Sequence, residues 1–321
     1  MSKKKKPVQV KLIVNPGAGK ADYAAKNMKL VMGYLEKNGL KVNVAYARPK
    51  EEATRIARRA VKEGYKIVIA MGGDGTIEAV MRGMVESKAR LGIIPAGTMN
   101  NVALSLGIPK DLEEACALIA SDTTINLDVG QVKTSKGKKM IFFEMATIGL
   151  SADIHPYANK VAGGKLSSLK DAALTFLHKE TNPKFYLTMN DESKISVETM
   201  MVMVSNTPFF GKNFLVARQA SLQDNLLDIS IYPEFSKVEL VGYFAAVMNG
   251  GYFGDKKIQH YQARKVKVKA SPKQKVMADG IVLGKGTATI KILPGALRMI
   301  TPEEGKREEK APNDTTVVGV I

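Results

Sequence analysis

The sequence predicts an α/β fold: an N-terminal domain built on an open sheet with helices on both faces, followed by a mostly antiparallel, β-rich second domain. Three observations carry this. From Val8 to Pro95 apolar, β-type runs alternate with amphipathic helical stretches, the pattern of a parallel sheet covered by helices. Beyond residue 126 the texture changes to many short apolar segments bounded by turn residues. Glycine-rich turns follow several of the first domain's strands, at the carboxyl edge where such sheets collect ligands.

The first strand is Val8–Val14 (VQVKLIV), followed by a helix over 21–37 and a strand over 41–46. A helix over 51–62, a strand over 66–70, a helix over 76–86 and a strand over 91–94 complete the alternation. Each helical pattern ends at or just before Gly or Ser, as helix termini do. One more helix, 111–120, closes the domain and places the single cysteine, Cys116, on an apolar face with Leu112, Ala115 and Ile119. Burial there is the expected role of its thiol.

The β-rich segments that follow are 126–132, 139–147, 184–189, 195–205, 227–232, 266–269, 275–283 and 287–293. They are interrupted by helical patterns over 166–179 and 238–248. No internal repeat of fixed period is present. The domains are therefore drawn as 1–125 with 296–321, and 126–295, with tails 1–7 and 302–321 expected to be disordered.

The 48 Lys and Arg against 31 Asp and Glu give a formal charge of +17, which speaks to partners rather than to fold. There is no zinc-finger spacing, no aromatic-rich RNA-binding strand and no Trp, so nucleic acid is not the expected partner. An anionic membrane surface is. Lys3–Lys6 and the alternation Arg264-Lys265-Val266-Lys267-Val268-Lys269, basic on one strand face, are its candidate contacts. A solvated tail and a solvated strand face are the plain structural readings of the same residues. No run reaches the roughly 18 apolar residues that span a bilayer, so the expected place is the cytoplasm, peripherally at the membrane. The apolar stretch 240–253 reads as a core helix or a lipid contact, and Phe209 and Phe210 as core or the border of an acyl channel. The sequence leaves the oligomeric state open, a homodimer included.

Three turns carry the chemistry. The strand 66–70 runs into Gly72-Gly73-Asp74-Gly75-Thr76 and then a helix, whose free amides and dipole suit phosphate. Glycine allows close backbone approach to the ligand. Asp74 could hold Mg²⁺, accept a hydroxyl proton or simply cap the helix. Asn15-Pro16-Gly17-Ala18-Gly19-Lys20 follows the first strand, and Pro95-Ala96-Gly97-Thr98-Met99-Asn100-Asn101-Val102-Ala103 follows the fourth. None matches a P-loop or a dinucleotide fingerprint. His155, His178 and His260 are scattered, with no spacing for zinc or a serine triad.

These motifs, in this order and spacing, resemble the bacterial diacylglycerol kinase and sphingosine kinase family of lipid kinases; GGDGT alone is shared with NAD kinases and phosphofructokinases. Asp128-Val129-Gly130, Thr147-Ile148-Gly149-Leu150, Ser205-Asn206, Phe210-Gly211-Lys212-Asn213, Asp224-Asn225-Leu226-Leu227-Asp228 and Asp279-Gly280 extend the likeness over roughly residues 8–300. The resemblance implies ATP in a cleft between the two domains, phosphate transfer to a lipid hydroxyl, and a last strand near Leu297–Ile300 returning to the first domain. It implies nucleotide contacts from Asn15, Gly17, Gly72, Gly73, Gly75, Thr76, Gly97, Thr98 and Asn100. Asp74 would stand at the transferring phosphate, with Lys20 and Mg²⁺ neutralising charge. It also implies a structural Mg²⁺ at Asp224 and the backbone near Leu226, where an ordinary loop carboxylate is the alternative. Asn225 stands where the family has Gly, a substitution that left-handed backbone tolerates.

Two departures bear on catalysis. Ile281 follows Asp279-Gly280 where the family has Glu, and Ala79 stands where a Glu is expected, with Glu78 one place earlier. A step of one residue turns about 100° around a helix, so Glu78 is no direct replacement. Asp74 or Asp279 is then the candidate base. The alternatives are a shifted acceptor, a silent nucleotide- or lipid-binding relative, or an NAD kinase. An Asp-Gly hairpin turn is the plain structural reading of Asp279-Gly280.

Overall fold

A computed structural model describes residues 7–16, 23–47, 50–97, 100–121, 123–153, 182–210, 214–233, 235–236, 238–240, 242–243 and 257–302. Gly17, Lys20, Thr98, Lys3–Lys6, His155, His178, 211–213, the helical pattern 166–179, all of 244–253 and the C-terminal tail from 303 lie outside them. The described residues form two compact units. One runs through Leu127 and resumes at Gly295, and the other spans Asp128–Pro294.

In the first unit the elements are β1 (Val8–Val14), α1 (Tyr23–Lys37), β2 (Leu40–Tyr46), α2 (Lys50–Lys62), β3 (Ile67–Gly72), α3 (Asp74–Met84), β4 (Arg90–Pro95), α4 (Asn101–Ser105) and α5 (Leu112–Ile119). The parallel order is β2-β1-β3-β4, with Val14 beside both Tyr46 and Met71, and Gly72 beside Pro95. β3 (IVIAMG) is buried throughout, which is why its sequence is a continuous apolar run rather than an alternation. Helices pack on the sheet through Val31, Leu35, Cys116 and Ile119. Cys116 is fully buried and burial pushes its thiol up to about 12, as befits a core residue.

The second unit holds β5 (Thr124–Thr134, entering from the first), β6 (Lys139–Phe142), β7 (Met145–Gly149), β8 (Lys184–Met189), β9 (Ser193–Glu198), β10 (Met201–Ser205), β11 (Phe209–Phe210) and β12 (Phe214–Leu215). It continues with β13 (Leu227–Ile231), β14 (Gln259–Ala263), β15 (Lys265–Ser271), β16 (Lys275–Ala278), β17 (Ile281–Lys285) and β18 (Ala288–Ile300). One antiparallel sheet has the order β14-β13-β10-β7-β16-β17, and β18, β15, β8 and β9 neighbour one another in another. Their inward residues, among them Ile148, Val204, Ile229, Phe185, Val268 and Ile290, form one core. The last residues of β18 return to the first unit, where Arg298 and Met299 lie parallel to Arg90 and Leu91 of β4.

Several boundaries differ from the sequence reading. The segment 139–147 is two strands broken at Phe143-Glu144, and 195–205 is β9 and β10, which belong to different sheets. Both breaks fall at buried residues, Phe143-Glu144 and Thr199-Met200, so neither bend is marked by an exposed turn residue. The segment 275–283 is the hairpin of β16 and β17, turning at Asp279-Gly280. β14 (QHYQA) was missed because, of its side chains, only Ala263 is buried, as suits an edge strand.

Candidate active site

In the first unit, β3 passes through Gly73, in extended backbone, into α3, so the helix opens at the carboxyl edge of the sheet. The first turn presents backbone N–H groups and the positive end of the helix dipole. Asp74 is the first helical residue and does not cap. Gly73 holds the cap position without a side-chain bond, which removes the capping reading. The Asp74 carboxylate instead accepts the backbone N–H of Asn100 at 2.8 Å, across 26 residues of chain.

Asn100 is the brace of the opposite turn. It is buried, adopts left-handed backbone (φ 55°, ψ 46°) and precedes α4. Its Oδ1 accepts the Gly97 N–H at 3.1 Å and its Nδ2 donates to the Gly97 carbonyl at 2.9 Å. Gly97 and Gly73 face each other with no room for a side chain. A Cβ on Gly97 would overlap Gly73 Cα, and one on Gly73 would stand 3.2 Å from Gly97 Cα. The glycines are required by this close approach, with nothing unusual in their φ angles. Asn15, just past β1, donates from Nδ2 to Thr76 Oγ1 at 3.2 Å. The structure thus brings together Asn15, Gly72, Gly73, Asp74, Gly75, Thr76, Gly97 and Asn100 at one sheet edge.

The two departures also take definite places. Ala79 is buried on α3, and Glu78 pairs with Arg82 at 3.0 Å along the same helix. Ile281 begins β17 and is 47% exposed.

In the second unit the Asp279 carboxylate accepts three backbone N–H groups: Phe143 at 2.9 Å, Glu144 at 3.1 Å and Met145 at 3.3 Å. Its own N–H donates to the Met145 carbonyl, and its φ of +40° makes the hairpin turn. From the other side, buried Asn206 donates from Nδ2 to the carbonyls of Phe143 and Asp128. The segment 143–145 is thereby held by two side chains. Glu144 is itself buried, a functional candidate that the sequence reading passed over; a lone acid between Phe142-Phe143 and the apolar run of β7 was its signal.

Asp224 folds back on its own loop, accepting the Leu226 N–H at 2.9 Å, while Asp128 accepts the Asn225 N–H at 2.6 Å. Asn225 is left-handed, φ 61°. Burial, with the Asp128 charge nearby, raises Asp224 above the usual carboxylate range despite the Leu226 bond. Burial and the Asp224 charge push Asp228 up to about 7. Among the described residues no group of three or more acidic, His or Cys ligands forms a metal cage. His260, exposed on the edge strand β14, meets Ser230 Oγ through Nδ1 at 3.2 Å, and partial burial of its ring lowers its pKa.

Residues 9–132 match the diacylglycerol kinase catalytic domain, and residues 144–301 match the YegS C-terminal NAD kinase beta sandwich-like domain. The chain belongs to the diacylglycerol kinase family. A family relative, the diacylglycerol kinase of Mycobacterium tuberculosis, is 26% identical over 300 residues, covering 92% of this chain and 96% of its own. A crystal structure of a diacylglycerol kinase from Bacillus anthracis superposes with a TM-score of 0.70 at 23% identity, covering 94% of this chain and 99% of that one. It shows the shared fold. An NAD kinase from Archaeoglobus fulgidus, solved in complex with ATP, has a TM-score of 0.52 at 14% identity, covering 94% and 97%, so the fold extends to those enzymes as well. Among the described residues no helix is long and apolar enough to cross a membrane.

Proposed function

We propose that this chain is an ATP-dependent lipid kinase, passing the γ-phosphoryl group of MgATP to the hydroxyl of diacylglycerol or a related lipid alcohol. The observation that carries the reading is the paired turn: Gly73 against Gly97, with Asp74 fixed by the Asn100 amide at the first turn of α3. Glycine backbone beside the free amides of a helix's first turn presents N–H donors with no side chains in the way, which suits phosphate oxygens. Phosphoryl transfer asks mainly for in-line positioning and charge neutralisation, which such a cradle supplies.

Within this reading Asp74 stands at the transferring phosphate, where it orients the acceptor hydroxyl or takes its proton. Asn15 and Thr76 shape the nucleotide side of the turn, joined by Gly17, Lys20 and Thr98, whose roles rest on the family resemblance. Asp279 serves as a clamp: a carboxylate accepting three N–H groups is already committed, and it sets the 143–145 segment rather than receiving a proton.

The Asp224 loop fits a hard divalent cation. The Asp128 carboxylate lies close enough to raise Asp224's cost of ionisation, which a cation would offset, and Mg²⁺ is commonly held by one or two carboxylates with water. Bound there, Mg²⁺ would supply charge that locks the loop. Asp224 and Asp128 are its proposed ligands.

Ile281 and Ala79 favour a second reading, a silent relative that binds without turnover. The test is turnover itself: incubate the protein with MgATP and a panel of lipid alcohols, and separately with NAD. Phosphorylated lipid supports the proposal. Phosphorylated NAD without phosphorylated lipid would transfer the chain to the NAD kinases, and ATP binding without any product would establish the silent reading.

A further inference from the structure

β15 is half-buried in strict alternation: Val266, Val268 and Ala270 enter the core, while Lys265, Lys267, Lys269 and Ser271 face outward. The register extends that outer face across its neighbours. Lys265 lies beside Lys291 of β18, Lys267 beside Thr188 and Lys269 beside Tyr186 of β8, and Thr188 beside Lys194 of β9. Residues two apart on a strand are roughly 7 Å apart and neighbouring strands about 5 Å, so these side chains form one contiguous array.

The charges on it are largely unanswered. Asp191 binds Lys265 at 2.8 Å and Glu198 lies opposite Lys184. Lys194, Lys267, Lys269 and Lys291 have no ion pair among the described residues. In their midst Tyr186 is 43% exposed, with the Lys269 ammonium 6.0 Å from its ring centre. An amphipathic ring beside lysines is the composition of a protein surface that rests at a lipid headgroup layer.

We infer that this outer face of β18, β15, β8 and β9 docks on anionic phospholipid membrane; the choice of lipid as occupant rests on the lipid-kinase reading. Charge complementarity supports it, and so does shape. A basic face several strands wide offers its lysines together to a membrane surface, whereas a nucleic-acid strand would cross it as a line and find, among the described residues of that face, Tyr186 alone to stack on. The attraction is of short range and weakens with salt.

The test is co-sedimentation of the full chain with vesicles of phosphatidylcholine alone and of phosphatidylcholine mixed with phosphatidylglycerol. Two variants are compared: Lys267→Gln/Lys269→Gln/Lys291→Gln on this face, and Arg58→Gln/Lys62→Gln/Lys66→Gln, which removes equal charge elsewhere. Wild type should bind the anionic vesicles, bind phosphatidylcholine far less and release as salt rises. The sheet-face variant should partition on the order of a hundredfold more weakly at low salt, from about one lysine's worth of attraction lost three times over, and the control should stay within a few-fold of wild type. Equal loss in both variants, no loss in the sheet-face variant, or equal wild-type binding to both vesicles would overturn the proposal. So would a sheet-face variant that loses single-stranded RNA binding while keeping the vesicles. Phosphate transfer to a short-chain diacylglycerol in free solution separates the two readings. The sheet-face variant should keep the wild-type rate there, and a wild type inactive on every lipid would overturn the kinase reading while the vesicle comparison still decides the surface.

Discussion

Replacing Gly97 with alanine should disable the nucleotide site while leaving the fold standing. The added Cβ would overlap Gly73 Cα and lie 2.8 Å from Asn100 Oδ1, the atom that accepts the Gly97 N–H. Carbon atoms in contact sit about 3.5–4 Å apart, so the two turns must separate by on the order of 1 Å. Overpacking of this kind costs roughly 1–3 kcal/mol of stability. A displacement of about 1 Å at a site that works by positioning costs on the order of a hundredfold in rate. The same shift pulls Asn100 away from Asp74, so both ATP affinity and turnover should fall. Gly33→Ala is the matched control: nothing lies within 4 Å of a Cβ there, inside α1, and the change should add up to about 1 kcal/mol through helix propensity. Urea midpoints and titration of ATP binding for both variants make the comparison. A Gly97→Ala protein that binds ATP as wild type does would refute the claim that the Gly73–Gly97 approach forms the phosphate cradle.

Other expectations follow from individual contacts. Asp279→Ala removes the acceptor of three backbone N–H groups and should cost about 2–4 kcal/mol in urea unfolding, with Asp279→Asn, which keeps one amide oxygen, costing less; equal stability for all three would sink the clamp. Asp228 rises from 3.8 to about 7 on folding, so its protonated form favours the folded state. That contribution is fully present below about pH 4 and is lost as pH climbs to about 7, by about 4 kcal/mol. Asp228→Asn should therefore be more stable than wild type at pH 8 and comparable at pH 4, and a pH-independent difference would contradict this. Ile281→Glu, at an exposed position, should leave stability within about 0.5 kcal/mol; a rise in turnover would identify the missing carboxylate as limiting, and an unchanged rate would show that the site works without it. Cys116, buried with its thiol near 12, should react with a thiol reagent only as fast as the native protein opens, and rapid native labelling would contradict its core placement.

The first unit was legible because its strands and helices announce themselves by different periods, and because glycine-rich turns punctuate their ends. β3 and the Gly72–Thr76 turn came directly from that pattern. What local pattern could not convey is long-range pairing. That Asp74 binds the Asn100 amide, or that Asp279 gathers the amides of 143–145 across more than 130 residues, depends on chain closure that no window of sequence contains. Strand breaks at Phe143-Glu144 and Thr199-Met200 were hidden for a related reason: the polar residues there, Glu144 and Thr199, are buried, and which sheet each flanking strand joins depends on distant partners. β15 was the opposite case. One buried face and one wet face wrote its alternation plainly, and its lysines emerged where the period of two puts them.

The central claim is phosphate transfer at Asp74, and labelled γ-phosphate measures it most directly. MgATP labelled at that position is incubated with a mixed lipid extract and either wild type or Asp74→Asn, which keeps an oxygen able to accept the Asn100 N–H and should fold normally. The account predicts label in the organic phase with wild type and none above background with the variant, at matched stability. Equal label from both proteins would contradict the role of Asp74, and label from neither, with ATP bound by both, would contradict the kinase reading itself.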